Sequence, residues 1–365
     1  MIKFLDLKSV NKKYQKHFEI AYKRVIDSGW YLLGKETETF EQNFAQYCNA
    51  KHCISLASGL DALSLTLQAL EITTNDEVIV PSHTFIATIL AVSSVGAKPV
   101  FVEPDPENFL IDTNRIEEKI TPKTKAIIPV HLYGRACPIE PVLSIARKYN
   151  LKVLDDAAQA HGAVRFNKQN TPLDVNRSLA FSFYPGKNLG ALADAGAVVT
   201  NDDKLAHKLR AIRNYGSGKK YYCKYTGTNS RMDELQAAFL DIKLKGLEED
   251  NAKRREIAVY YLKNIKNENI ILPTTPQNPE DHVWHLFVIR APHRDKLQKN
   301  LKAKGIQTLI HYPVPPHKQQ CCIEYNNLPL PIAEKLADEV LSLPISPAMT
   351  IEQAKKVTKA LNNWK

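Results

Sequence analysis

Residues 178–190, SLAFSFYPGKNLG, run as an apolar, aromatic strand straight into Pro185–Gly186 and then a lysine. Taken alone, Lys187 is a surface residue at the start of a loop, because lysines are mostly exposed. A lysine beside buried apolar residues is otherwise costly, unless its charge is paired or its amine has covalent work to do. What surrounds this stretch decides between the two readings. Upstream, from about residue 50, short apolar runs alternate with amphipathic ones: HCISLAS, then GLDALSLTLQAL with leucines at helical spacing; DEVIVPS, then HTFIATILAVSSVG, stopped by Gly96. KPVFVEP, a helical TNRIEEKI, the strand KAIIPVHLYG, a helix IEPVLSIARKYN and the strands LKVLDDAA, SLAFSFYPG and AGAVVT follow. Strands that are apolar almost throughout and separated by helices form a mostly parallel sheet covered on both faces. A long helical stretch, RMDELQAAFLDIKLKGLEEDNAKRREIAVYYLKNI, then leads to HVWHLFVIRA and GIQTLIHYPV, read as strands, and to a C-terminal helix from Ile351. The expected architecture is a large α/β domain, residues 1–245, and a smaller α+β domain, residues 246–365.

Composition bounds the function. With 365 residues, 44% hydrophobic and 24% charged, the chain has the make-up of a globular protein with a sizeable core. Lys+Arg 49 against Asp+Glu 39 gives a net charge of +10, which favours anionic partners. The basic residues are scattered without runs, which points to a phosphorylated ligand rather than to nucleic acid. The cysteines, Cys48, Cys53, Cys137, Cys223, Cys321 and Cys322, form no CxxC pair, so no metal is expected. The N-terminus lacks the apolar core of a signal peptide, and the longest apolar run is too short to span a bilayer. A reduced, cytoplasmic, soluble protein is the expectation.

In open α/β sheets, ligands bind at the carboxyl ends of the strands. There the sequence sets Ser58–Gly59 opening a helix, which is either an N-cap or a phosphate cradle. Phe85 follows the second strand and is either core or a platform for a flat ring. Asp155–Asp156 end a third strand, one of them free to meet a cation, with Gln159 and a packing histidine, His161, beyond. Ser182 and Lys187 end the next. No GxGxxG or P-loop motif occurs. A lysine, an aspartate, an aromatic and a phosphate-binding Ser-Gly in one crevice is the set that pyridoxal 5'-phosphate needs: Schiff base, ring-nitrogen partner, stacking surface and phosphate hold.

ASGLDALSLTLQAL, PSHTFIAT, DDAAQAHGA, FSFYPGKNLGALADAGAVVT and GTNSRMDELQAA, in this order and spacing, resemble the DegT/DnrJ/EryC1/StrS sugar-nucleotide aminotransferases, pyridoxal-phosphate enzymes of the aspartate-aminotransferase fold, fold type I. The resemblance covers essentially the whole chain. It implies Lys187 as the Schiff-base lysine and acid/base, Asp156 as partner of the pyridine nitrogen, Gln159 on the ring-hydroxyl side and Phe85 stacked on the ring. It implies Ser58, Gly59 and Ser182 on the phosphate, with Asn229 reaching it from the neighbouring subunit of a homodimer that shares its active sites. Pyridoxamine phosphate would be the intermediate form and L-glutamate the amino donor. Arg213, Lys219 and Lys220 become candidates for the substrate diphosphate, Trp30 and Tyr31 of GWYLLG for the sugar site, and Tyr184, His311, Tyr312 and His317 for further contacts. Within the family, SGWYLLG with LIHYPVPPHKQ is most like enzymes aminating carbon 3 of a dTDP-linked 3-keto-6-deoxyhexose, with amination at carbon 4 the alternative. A dehydratase would carry another residue in place of Lys187. A non-catalytic binding or regulatory protein would have lost some of Lys187, Asp156 and Ser182.

Overall fold

A computed structural model describes residues 1–163, 173–219 and 221–365. Seven strands form one sheet: β1 (His52–Leu56), β2 (Glu77–Pro81), β3 (Lys98–Val102), β4 (Thr124–Ile127), β5 (Lys152–Asp156), β6 (Arg177–Ser182) and β7 (Gly196–Thr200). Their order is β1-β7-β6-β5-β4-β2-β3. All neighbours run parallel except β7, which is antiparallel to both β1 and β6. The fold is the fold type I α/β arrangement. Alternate residues of each strand enter different cores. Leu154, Ala180 and Val198 pack with Leu63 and Ile89 of the covering helices, whereas Val153 joins Val142 and Leu143, and Leu179 and Val199 join Phe40 and Phe44. Both faces are therefore apolar, which is why the strands read as continuous hydrophobic runs.

The same alternation separates the paired aspartates. Asp155 shares a face with Val153 and bonds His131 Nε2 and Arg177 Nε, each at 3.0 Å. Asp156 shares the opposite face with Leu154, on the side of the helices Gly59–Ala69 and Ile86–Ser94. That face, at the carboxyl ends of β1, β2, β5 and β6, is where the crevice opens.

Several elements differ from expectation. TNRIEEKI forms two short 3₁₀ turns, Thr113–Arg115 and Glu117–Lys119, in place of a helix. The strand read over KAIIPVHLYG ends at Ile127, before Pro129, which has no N–H to donate to a ladder. GIQTLIHYPV makes only single bridges, Ile306 to Ile2 and Leu309 to Ser342; the paired strands there are Phe287–Arg290 and Val340–Leu343. The long helical stretch breaks between Glu234–Leu244 and Leu247–Asn264. At the break, a Cβ on Gly246 would lie 2.4 Å from the Tyr14 hydroxyl, so only glycine admits that contact. A separate apolar cluster joins Tyr261, Phe287, Leu297, Leu341 and Leu361. Among the described residues, no helix is long and apolar enough to cross a membrane.

Candidate active site

A cavity of about 1470 Å³ opens at those strand ends, and Ser58, Gly59, Phe85, Asp156, Gln159, Ser182, Tyr184, Lys187, His311 and Tyr312 all line it. Residues from five separate segments of the sequence thus meet in one place. Lys187 sits in the loop after β6, partly open to the crevice yet surrounded by protein. Burial draws its pKa down to about 8, with Asp156 pulling the other way. Its Nζ makes no hydrogen bond with any described residue. A lysine poised near neutrality is able to act as nucleophile and as base.

Asp156 is 6% exposed. Its Oδ2 accepts from the Thr88 hydroxyl at 2.8 Å and its Oδ1 from the Ala158 N–H at 3.2 Å. Burial raises its pKa, opposed by these two donors and by Lys187. Thr88 in turn meets the Thr84 hydroxyl at 3.0 Å. Thr88 escaped the sequence reading, although its spacing from Thr84, one helical turn, was a usable signal. Behind the crevice, burial would raise the Asp155 pKa, but Arg177 and His131 together hold it below the ordinary value.

The phosphate-type end is built by close approach. Ser58 is the N-cap of Gly59–Ala69, its Oγ accepting from the Asp61 N–H at 3.1 Å. Ser182 Oγ accepts from the Tyr184 N–H at 3.3 Å. Each hydroxyl keeps its own hydrogen to donate. A Cβ on Gly59 would lie 2.5 Å from Ser182 Cβ, so glycine is what lets the helix start meet β6. Gln159 is oriented without ambiguity: its Oε1 accepts from the Tyr133 backbone N–H at 2.6 Å, so its Nε2 donates to the Tyr312 hydroxyl at 3.1 Å. Tyr312, whose pKa burial raises, remains a proton donor. Its ring lies 5.2 Å from that of Phe85, which is 49% exposed. His311 is held by Ser342 Oγ at 2.8 Å and kept neutral, its pKa lowered by burial and by Lys187 to about 4. His161 packs between Phe181 and Phe183, at 5.4 and 5.6 Å.

Other candidates lie elsewhere in this chain. Arg213, expected near a diphosphate, is buried and spent on Glu41 at 2.5 Å and on Ser55 O at 2.9 Å. His317 is buried against Phe101 and bonds Glu334 at 3.0 Å, away from the crevice. Both are corrections: a bond to a glutamate of the same chain takes the group that the sequence had offered to the substrate. Trp30 and Tyr31 are exposed and do not line the cavity, Trp30 Nε1 donating to Leu32 O at 2.8 Å. Asn229 is exposed and bridged to Asn214. Lys219, on an exposed hairpin, covers the Tyr222 ring, and Lys220 lies outside the described residues. Asp194, Arg254 and His285, which line the cavity, were not singled out in the sequence.

The model of the DegT/DnrJ/EryC1/StrS aminotransferase family matches residues 12–362. The chain belongs to this family. It is 55% identical, over 100% of its length and 99% of the relative's, to the dTDP-3-amino-3,6-dideoxy-alpha-D-galactopyranose transaminase of Aneurinibacillus thermoaerophilus. DesV of Streptomyces venezuelae, solved in complex with a ketimine intermediate, superimposes with TM-score 0.95 at 46% identity, covering 100% of this chain and 98% of that one. NtdA of Bacillus subtilis, solved with bound cofactor PMP, gives TM-score 0.89 at 33% identity, covering 99% and 84%. The aminotransferase is a pyridoxal-phosphate enzyme, and its crevice fits that group: a half-buried amine able to lose its proton, a buried carboxylate, and a serine–glycine cradle that a single Cβ would fill. When bound, the cofactor supplies an electron sink for the bond cleavages of amino transfer.

Proposed function

We propose that the enzyme moves the amino group of L-glutamate to carbon 3 of a dTDP-linked 3-keto-6-deoxyhexose, giving a dTDP-3-amino-3,6-dideoxyhexose for surface polysaccharide or S-layer glycan. The observation that carries the chemistry is Lys187, drawn to about pKa 8 beside Asp156 in the crevice at the strand ends. The activity for which the Aneurinibacillus relative is named supports the substrate.

In this reading Lys187 would hold the cofactor through its amine and, once free, would move a proton as base and acid. Asp156, aligned by Thr88, holds a proton at the ring nitrogen. Gln159 faces the ring hydroxyl, Phe85 covers the ring, and Ser58, Gly59 and Ser182 hold the phosphate. Tyr184, His311 and Tyr312 line the space left for the sugar. Trp30, Tyr31, Lys219 and Asn229 are exposed in the single chain and serve the crevice of a second copy, so the enzyme works as a homodimer, in the cytoplasm where nucleotide sugars are made. The helix break at Lys245–Gly246 supports a division into domains at 1–245 and 246–365.

The test begins with visible absorption of the purified protein loaded with pyridoxal phosphate, before and after borohydride, and peptide mapping of the product. An adduct on the Lys187 peptide, with a spectrum bleached by glutamate, is the expected result. No adduct, or one on another lysine, overturns the assignment. dTDP-3-keto and dTDP-4-keto sugars offered in turn then decide the carbon: turnover of the 4-keto sugar alone makes carbon 4 the site of amination.

A further inference from the structure

The crevice contains a cation for which the roles above have no use. Arg254, on the helix Leu247–Asn264, lines the same cavity as Lys187 and is only 3% exposed. Its Nη1 donates to the carbonyl oxygens of Trp284, His285 and Ile345, at 3.3, 3.2 and 3.1 Å. Its Nε is buried without a partner. Its Nη2 bonds no described residue either, and the side chain as a whole lines the cavity. The acid that acts on it through space is Asp250, one turn earlier, whose oxygens are taken by Lys13 at 2.5 Å and the Tyr14 hydroxyl at 3.1 Å.

Burial draws the Arg254 pKa down to about 10, so the guanidinium stays charged at neutral pH. Carbonyl dipoles offset part of the cost of burying that charge, but a buried cation is ordinarily paired with an anion. No carboxylate among the described residues bonds it. An anion entering the crevice would complete the pair. The position is also suited to the chemistry. His285, whose carbonyl Arg254 holds, is kept neutral by burial and then by Lys187 and Arg254, so both cationic groups lie within electrostatic reach of one ring. That ring is fixed by Asn188 Oδ1 at 3.1 Å. Lys187 and Arg254 line one cavity, so a donor that brings its nitrogen to Lys187 shares that space with the guanidinium. Lys299 and Lys302 also line the cavity, but they are exposed and hydrated; a desolvated planar fork is the better selector of a carboxylate.

We propose that Arg254 binds a carboxylate of the amino-acid donor and so sets which donors the enzyme accepts. The proposal rests on the reading of the enzyme as a glutamate-dependent aminotransferase. It is tested on holoenzyme, with the two half-reactions measured separately, in Arg254→Gln and Arg254→Lys. In Arg254→Gln, the glutamate half-reaction should lose at least about 30-fold in apparent affinity, while the return half-reaction with the keto sugar nucleotide stays within about threefold. Arg254→Lys should recover part of the loss. Glutarate, a dicarboxylate with no amino group, should bind the wild type by calorimetry and fail to bind Arg254→Gln. With 2-aminobutyrate and 4-aminobutyrate, each lacking one of the two carboxylates, the penalty should vanish for the donor missing the one Arg254 holds.

An unchanged glutamate affinity in Arg254→Gln overturns the proposal. So does an equal loss in both half-reactions with a lowered Tm, which would make Arg254 only a clamp on three carbonyls. A wild type that takes no amino donor but binds glutarate through Arg254 would sink the glutamate reading while upholding the carboxylate site.

Discussion

The floor and the rim of the crevice are made in different ways. On the floor, Asp156, Ser182 and the Ser58–Gly59 step stand at strand ends or at a helix start packed on them, and each polar atom has a partner that fixes its direction. At the rim, Trp30 is 63% and Tyr31 53% exposed, and Lys219 rests on a short hairpin. A side chain held by a sheet has one place to be. One held by solvent takes its place from whatever covers it. In the proposed reading the floor carries the chemistry, and the rim meets the substrate.

The sharpest way to break this contrast is at the floor. Lys187→Met should lower turnover by about 10⁴-fold or more with the fold intact, read by steady-state kinetics beside a melting curve. Less than about tenfold loss would move the chemistry to another group. A stability measurement comes next. Lys187 has a folded pKa of about 8 against 10.5 for the free side chain. Across that window the unfolded chain holds a proton that the folded chain has released. Stability of the cofactor-free protein should therefore rise with pH there, by about 3 kcal/mol at most, and Lys187→Met should lack that part. Lys243, also drawn down to about 8 by burial, titrates in both proteins, so the difference isolates Lys187. Denaturant titrations at about pH 7.5 and 10 read it, and parallel pH dependence in the two proteins would contradict it. Thr88→Val should cost about tenfold in turnover by removing one hydrogen bond to a buried carboxylate. At the rim, Lys219→Ala should change the KM for the sugar nucleotide by no more than about threefold, and less in high salt. A larger loss there than for Thr88→Val would erase the distinction between floor and rim.

The sequence makes the floor legible because strand, turn and helix start are local patterns, and the sheet brings their ends together whatever the intervening lengths. It left open which of Asp155 and Asp156 faces the crevice before any resemblance was considered. The alternation of β5 answers that, since His131 and Arg177 claim Asp155 on the other face. Long-range pairing was illegible. Arg213 looked free because Glu41, which holds it, lies 172 residues away. His317 looked available until the fold seated it against Phe101 and Glu334. Arg254 sat unremarked in a helix of charges, where nothing local separates the one buried guanidinium from its exposed neighbours. The strand expected over GIQTLIHYPV failed for the opposite reason: its residues suit a strand, but its neighbours Ile2 and Ser342 offer only isolated bridges.

The adjacent aspartates have a consequence for assembly. A slip of β5 by one residue, about 3.3 Å, would exchange the faces of all its side chains. A slip that sets Asp155 in the place of Asp156, beside Thr88, would leave Leu154 facing His131 and Arg177 in the place of Asp155. The crevice would still hold a carboxylate, now on the wrong backbone, while His131 and Arg177 lost theirs. Quality of this enzyme is therefore better judged by activity per folded molecule than by yield or compactness, and the ladders on both sides of β5 serve as proofreaders of its chemistry.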